Sequence, residues 1–345
     1  ILSAHAALVI PQVGPWGVVL AFLTFGMLGL GVNMTTPLYF ALVSDRSDET
    51  QRPRIMATMF IILGIGIVIT SFAMGRALEP YSETRLFAVF YAVAAFTVLI
   101  ALVGLFQLEK RQRSPLTGSR QRETADSESS PATIRDLLLR NGEALRFFVY
   151  LVLTFVAVEA QEVILEPYAA EVFGMAPGET TRLTGIFRIG SLIMLAVGAL
   201  MVRKRGVKFS GIGGVVLGIA GLLLILLGGI RQLSGPFMGG VFIFGLGSGT
   251  LTITNLSMMI NMTDTQNAGV FQGTWGFAQA VGVGGGTIAG GIIRDAGLAI
   301  LGTQLAGYAV VFLFEVALLG IAVPLLWRFS LGRFQALNHE VQTTH

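Results

Sequence analysis

Three carboxylates stand inside a stretch otherwise suited to lipid. Glu159, Glu162 and Glu166 lie at i, i+3 and i+7 between Phe147 and Phe173. That spacing puts them on one face of a helix. An ionisable group at mid-membrane costs at least about 2.5–3.5 kcal/mol on insertion scales. The cost is tolerable if the face turns to a bundle interior, as a polar seam that accepts protons or binds a ligand. The alternative is that only Glu159 and Glu162 run deep, with Glu166 and Glu171 near the outer headgroups. Arg182 and Arg188 open the next apolar stretch. Arg188, about one turn inside, can pair with Glu162 or Glu166 across the hairpin, either as scaffold or as part of a site. Glu315 is the only charge between Asp295 and Arg328, which makes it a second deep carboxylate. Asn33, Thr35, Thr36, Thr252, Thr254, Asn255 and Asn261 add polar groups to two other stretches. Such residues bridge helices for under about 2 kcal/mol each, or they line a site.

Other chemistry is excluded or weak. Cysteine is absent, which removes disulfides, iron–sulfur clusters and thiolate metal sites. The three histidines, His5, His339 and His345, cannot form a cluster that holds zinc or haem. Asp45-Arg46 with Arg52 and Arg54 reads as a charged clasp between helix ends or as a solvated loop. Arg203-Lys204-Arg205 reads as a membrane anchor. The glycine run from Gly282 to Gly286 lies inside an apolar stretch, so it serves close helix packing rather than phosphate binding. No hydrolase or kinase motif occurs, and no soluble nucleotide domain is present to drive a pump. Any transport would draw on a gradient.

The elements that must hold these residues follow from composition. Of 345 residues, 53% are hydrophobic and only 12% charged, against about 25% charged in soluble domains. Mean hydropathy is +0.74. Lipid is therefore the solvent, and a net charge of +3 with dispersed basic residues argues against nucleic acid. The 44 glycines suit close packing of membrane helices. About nine spans are predicted: 16–43, 55–75, 86–108, 147–173, 183–202, 209–230, 236–262, 268–293 and 298–329. The first residues read as the tail of an earlier hydrophobic segment. Residues 109–146 form a linker, too polar in its middle to bury a core, with a possible interfacial helix over 134–146. The predicted organisation is 1–108, part of a first half; 109–146, the linker; 147–330, a second half; and 331–345, a tail. Of the 23 Lys and Arg, 17 fall on the side that carries the linker and tail, which predicts that side to be cytoplasmic. A faint repeat relates Asn33 and Asp45 to Asn255 and Asp264. Parallel six-helix repeats are one transporter plan, and on it the first three helices are missing.

Several of these residues carry a resemblance. Asp45-Arg46 through Arg52-Pro53-Arg54 resembles the loop between the fourth and fifth helices of major facilitator proteins. Gln161-Glu162-Val163-Ile164-Leu165-Glu166-Pro167-Tyr168, followed by Val172-Phe173-Gly174 and Gly178-Glu179-Thr180-Thr181-Arg182, is similar to the PucC family, the bacteriochlorophyll-delivery branch of that superfamily. Gly269 through Gln279, and Gly290-Gly291-Ile292-Ile293-Arg294-Asp295, resemble the same family near its eleventh helix. The resemblance implies an all-α membrane fold, a twelve-helix bundle of two six-helix halves. It also implies a non-enzymatic role in assembling light-harvesting or reaction-centre complexes in a bacterial cytoplasmic or intracytoplasmic photosynthetic membrane. Implied partners are antenna polypeptides, the reaction centre and pigment-synthesis enzymes; the implied cofactor is a transiently held bacteriochlorophyll or chlorophyll. Without histidine in a span, the pigment magnesium would need an oxygen donor. Glu162, Glu166, Asn255 and Gln279 are the candidates, with Glu159, Asn33 and Glu315 as further binding residues. Asp45, Arg52, Arg54, Arg182 and Arg188 are candidate structural or gating charges. One departure is Val202-Arg203-Lys204-Arg205-Gly206, which lacks the aspartate of the superfamily's loop motif. Two other functions stay open: a proton-coupled transporter using Glu159, Glu162 or Glu315, and a permanent subunit of a photosynthetic complex.

Overall fold

The computed structural model describes residues 15–46, 52–106, 138, 141–262 and 268–334. These residues form helices only, in two compact units, Ile1–Pro115 and Leu116–His345. The predicted linker interior, the opening stub and the tail after 334 lie outside the described residues. The first unit contains α1 (Pro15–Arg46), α2 (Arg52–Ala77) and α3 (Glu83–Phe106). The second contains α4 (Gly142–Phe173), α5 (Pro177–Arg205), α6 (Val207–Arg231), α7 (Ser234–Met262), α8 (Ala268–Leu301) and α9 (Gln304–Arg328). Seven of the described helices are long and apolar enough to cross a membrane, and Trp16–Gly31 and Ile61–Ala77 add shorter apolar helices. The protein is a multi-pass membrane protein.

Helix ends follow local chemistry more than hydropathy. Predicted spans begin at 147 and 183, but α4 and α5 begin earlier. Asn141 caps α4: its Oδ1 accepts the Glu143 and Ala144 N–H groups at 3.1 and 3.2 Å. Pro177 starts α5, where Glu179 reaches back to the Ala176 N–H at 2.9 Å. Arg188 is therefore about three turns inside α5 rather than one. A predicted break at 294–297 is also displaced. Helix α8 runs on through Arg294 and Asp295, because Arg294 finds partners on neighbouring helices (below). The chain turns instead at Gly302, at φ 74°, and Thr303 caps α9 by accepting the Ala306 N–H at 3.2 Å.

The second unit packs α6 on α7, α5 on α7, α8 on α4, and α9 on α4 and α6. Tyr168 is the centre of its main core. The ring meets Phe237, Tyr308 and Phe312 edge-on at 5.0–5.7 Å, and its hydroxyl donates to the Ile225 carbonyl at 3.1 Å. Helices α6 and α7 approach at Gly218 and Gly247, where a Cβ on Gly247 would stand 2.6 Å from the Gly218 nitrogen. Phe209, Ile288, Ile292 and Ile300 point outward and are more than half exposed; in a bilayer that surface belongs to lipid.

Candidate functional site

The face of α4 that carries three glutamates lies beside α5. Arg188 donates through Nη2 to Glu162 Oε1 at 3.1 Å, and Thr184 donates its hydroxyl to Glu166 Oε1 at 2.9 Å. Glu159 sits one turn back, within electrostatic reach of both Glu162 and Arg188. Arg188 also lies over the Phe187 ring, 5.4 Å from its centroid. The side chains of Glu162 and Arg188 are 49% and 32% exposed on this unit, so the seam is open to a ligand. Arg182 stands a turn and a half before Arg188 on α5, half-buried and not without partners. The seam offers oxygen acceptors and one cation, a setting that can exchange protons or bind a polar group. Among the described residues, no cluster of three or more acidic or histidine side chains could hold a metal ion.

Of the other candidates, Gln279, Asn255 and Glu315 do not join the seam. Gln279 is exposed on α8. Helices α4 and α8 run parallel, with Gly282 facing Phe155 and Gly286 facing Val156 and Ala160. That register places Gln279 about three turns from Glu162 along the bundle. Asn255 is only 3% exposed, and its Nδ2 donates to Thr154 Oγ1 at 3.4 Å. Glu315 is fully buried in α9. Asn33 and Asp45 fall in α1, and Arg52 and Arg54 in the first turn of α2; their side chains lie outside the described residues.

Sequence reasoning overlooked a second charged cluster. Arg294 donates to Glu171 at 2.6 Å, Asp295 at 2.8 Å and Gln304 at 3.0 Å. The Tyr308 hydroxyl donates to the same Glu171 Oε2 at 2.9 Å, and Arg294 stacks over the Tyr308 ring at 5.1 Å. This network ties together one end of α4, α8 and α9. Its signal was Arg294 inside a glycine-rich helix, which charge counting assigned to a loop. At the opposite end, Glu143 binds Arg146 at 2.6 Å and accepts the Ser330 N–H at 3.0 Å.

Comparison with known proteins matches this architecture. A crystal structure of a bacterial homologue of the iron transporter ferroportin, in an outward-facing state, aligns with TM-score 0.51 and 14% identity over 95% of this chain and 80% of that one. That likeness is one of fold, the major facilitator type. Among curated proteins, Protein PucC of Rhodobacter capsulatus is 28% identical over 90% of this chain and 69% of its own length. The bacteriochlorophyll synthase 44.5 kDa chain of the same species is 27% identical over 85% of this chain and 68% of its own. Across five such relatives the match spans 60–69% of their lengths. The family model described as PUCC protein matches residues 4–334, nearly the whole chain, and the chain therefore belongs to the PucC family.

Proposed function

We propose that this protein is a non-catalytic membrane assembly factor for photosynthetic light-harvesting or reaction-centre complexes. It holds or delivers a bacteriochlorophyll or chlorophyll, or shields nascent antenna polypeptides until they pair. The observation that carries this reading is the family match over residues 4–334, supported by relatives from purple bacteria that bear the names PucC and bacteriochlorophyll synthase chain. Its partners are antenna polypeptides, the reaction centre and the enzymes that make the pigment. It resides in the photosynthetic membrane, with the 109–146 linker and the C-terminal tail in the cytoplasm.

The residues fit a pigment in part. A chlorophyll magnesium takes a hard oxygen donor. Glu162 and Gln279 present such oxygens on exposed helix faces, so they are the residues that would hold the ring. Glu162 and Glu166 each spend one oxygen, on Arg188 and on Thr184, and Glu166 is the less exposed of the two. Asn255 is too deeply buried to meet a flat macrocycle without the bundle opening. When bound, the pigment would be the cargo, and Glu162 or Gln279 would supply an oxygen donor to its magnesium beside an apolar surface.

The test is to purify the tagged full chain from a phototroph in mild detergent, record its absorption spectrum, extract pigment and identify co-purifying polypeptides by mass spectrometry. The expected result is a tetrapyrrole with antenna or reaction-centre subunits, reduced in E162Q or Q279A. A colourless protein without such partners overturns the reading and favours gradient-driven transport. Fixed stoichiometry in the mature complex overturns it in favour of a permanent subunit.

A further inference from the structure

Glu315 stands near the middle of α9, fully buried, and neither carboxyl oxygen has a hydrogen-bond partner among the described residues. Among the described residues of the second unit, no cationic side chain compensates it. Helix α7 carries no ionisable side chain, α6 none between Lys208 and Arg231, and α8 none before Arg294. Beyond Glu315, α9 itself offers only Tyr308 and, thirteen residues on, Arg328. From α4, Tyr150 and Tyr168 face the interior, while Glu159, Glu162 and Glu166 belong to the seam beside α5. Leaving a carboxylate uncompensated in such a core is strongly disfavoured. A bound cation would supply that compensation.

The surroundings are suited to a small polar guest. Tyr168 meets Phe312 at 5.0 Å and Phe147 meets Phe329 at 5.7 Å, so α4 and α9 are antiparallel. This register brings Gln161 to within about one turn of Glu315 along the bundle. Gln161 is 1% exposed, and its Nε2 has no partner among the described residues. Thr154 and Tyr150 lie seven and eleven residues earlier on the same face of α4. Asn255 bridges to Thr154, and Tyr150 Oη, Thr254 Oγ1 and Asn255 Oδ1 are buried without partners among the described residues. A file of buried polar groups, satisfied at Thr154 by Leu151 and Asn255 and carrying an unpartnered atom at Gln161, Asn255 and Tyr150, thus leads from the level of Glu315 toward the end of the unit where α4 begins.

We propose that Glu315 binds a monovalent cation, either a proton on the carboxyl itself or a sodium ion, and that the file through Gln161, Thr154, Asn255 and Tyr150 is its route. Neither the family match nor the glutamate seam enters this inference, and it holds whether or not the protein carries pigment.

The experiment uses the full chain in lipid nanodiscs. Unfolding midpoints are compared in sodium chloride and choline chloride at equal ionic strength. Infrared spectra in H2O and D2O record the C=O stretch of protonated carboxyl groups. A midpoint raised by sodium and not by choline, with the difference lost in E315Q, identifies sodium. A carboxyl band that shifts in D2O, vanishes in E315Q and persists in E159Q identifies the proton. Absence of both signals overturns the proposal, as does a band or sodium response that survives in E315Q or disappears in E159Q. Should E315Q fail to fold, the same two measurements on E159Q decide: neither signal there overturns it.

Discussion

Arg294 of α8 donates to Glu171 of α4 at 2.6 Å, and Tyr308 of α9 donates to the same carboxylate oxygen at 2.9 Å. One oxygen therefore joins two consecutive helices, α8 and α9, to α4, which lies far before them in sequence. The side chains of Arg294 and Glu171 are 21% and 37% exposed, so screening limits the pair itself to about 1 kcal/mol. R294Q also loses the bonds to Asp295 and Gln304, and should lower stability by about 1–2 kcal/mol. In an E171Q background its cost should shrink by roughly 0.5–1 kcal/mol. Denaturant unfolding of the four proteins in a double-mutant cycle measures this; equal costs in both backgrounds would show that the two residues are uncoupled.

Gly247 and Gly213 make a paired test of backbone approach. A methyl group on Gly247 would press on the Gly218 backbone, whereas one on Gly213 would meet nothing within 4 Å. G247A should destabilise by about 1–3 kcal/mol. G213A should be neutral or stabilise by up to about 1 kcal/mol, as alanine does in helices. Thermal unfolding ranks the two, and a larger loss in G213A would contradict the α6–α7 packing.

Tyr168 separates ring burial from hydrogen bonding. Y168F deletes only the hydroxyl that donates to Ile225, at an expected cost of about 0.5–1.5 kcal/mol. Y168A empties a fully buried aromatic site and should cost about 3–5 kcal/mol. The same unfolding assay reads both; similar losses would mean the ring contributes little.

Glu162 and Arg188 are exposed enough that their pair should carry little stability. E162Q and R188Q should each change unfolding free energy by less than about 1 kcal/mol. Under the proposed function, E162Q nevertheless lowers pigment recovery. A fall in recovery that merely tracks lost stability would remove Glu162 from the binding role.

Asn141 holds the start of the second unit. It caps α4, and its Nδ2 donates to the Phe334 carbonyl at 3.3 Å. N141A should cost about 1–2 kcal/mol and speed hydrogen exchange in the first turn of α4 and at 331–334. Unchanged exchange at 331–334 would show that this tie is idle.

The glutamates at 159, 162 and 166 show how much of the site was legible. Helical spacing put them on one face, and the apolar flanks made the face expensive, so the seam could be read without coordinates. Arg188 could be named as a partner because a hairpin returns the chain alongside itself. Arg294 could not be paired with Glu171, because that residue lies 123 positions earlier on a helix that no hairpin joins to α8, and no periodicity reports that distance. Gln161 shares a motif with Glu162, yet it is buried in the core while Glu162 is exposed.

What the sequence determined alone was the solvent and the element type: long apolar runs with few charges must become helices in lipid, since every backbone group has to be satisfied within the span. Glycine content likewise foretold close packing. Only the tertiary structure decided which polar residues are open and which are sealed. Asn255, Gln279 and Glu315 are equally polar anomalies in sequence, but burial depends on which face meets a neighbour. That is set by the packing of α4, α6, α7, α8 and α9, through contacts such as Gly247 on Gly218 and Tyr168 on Phe312.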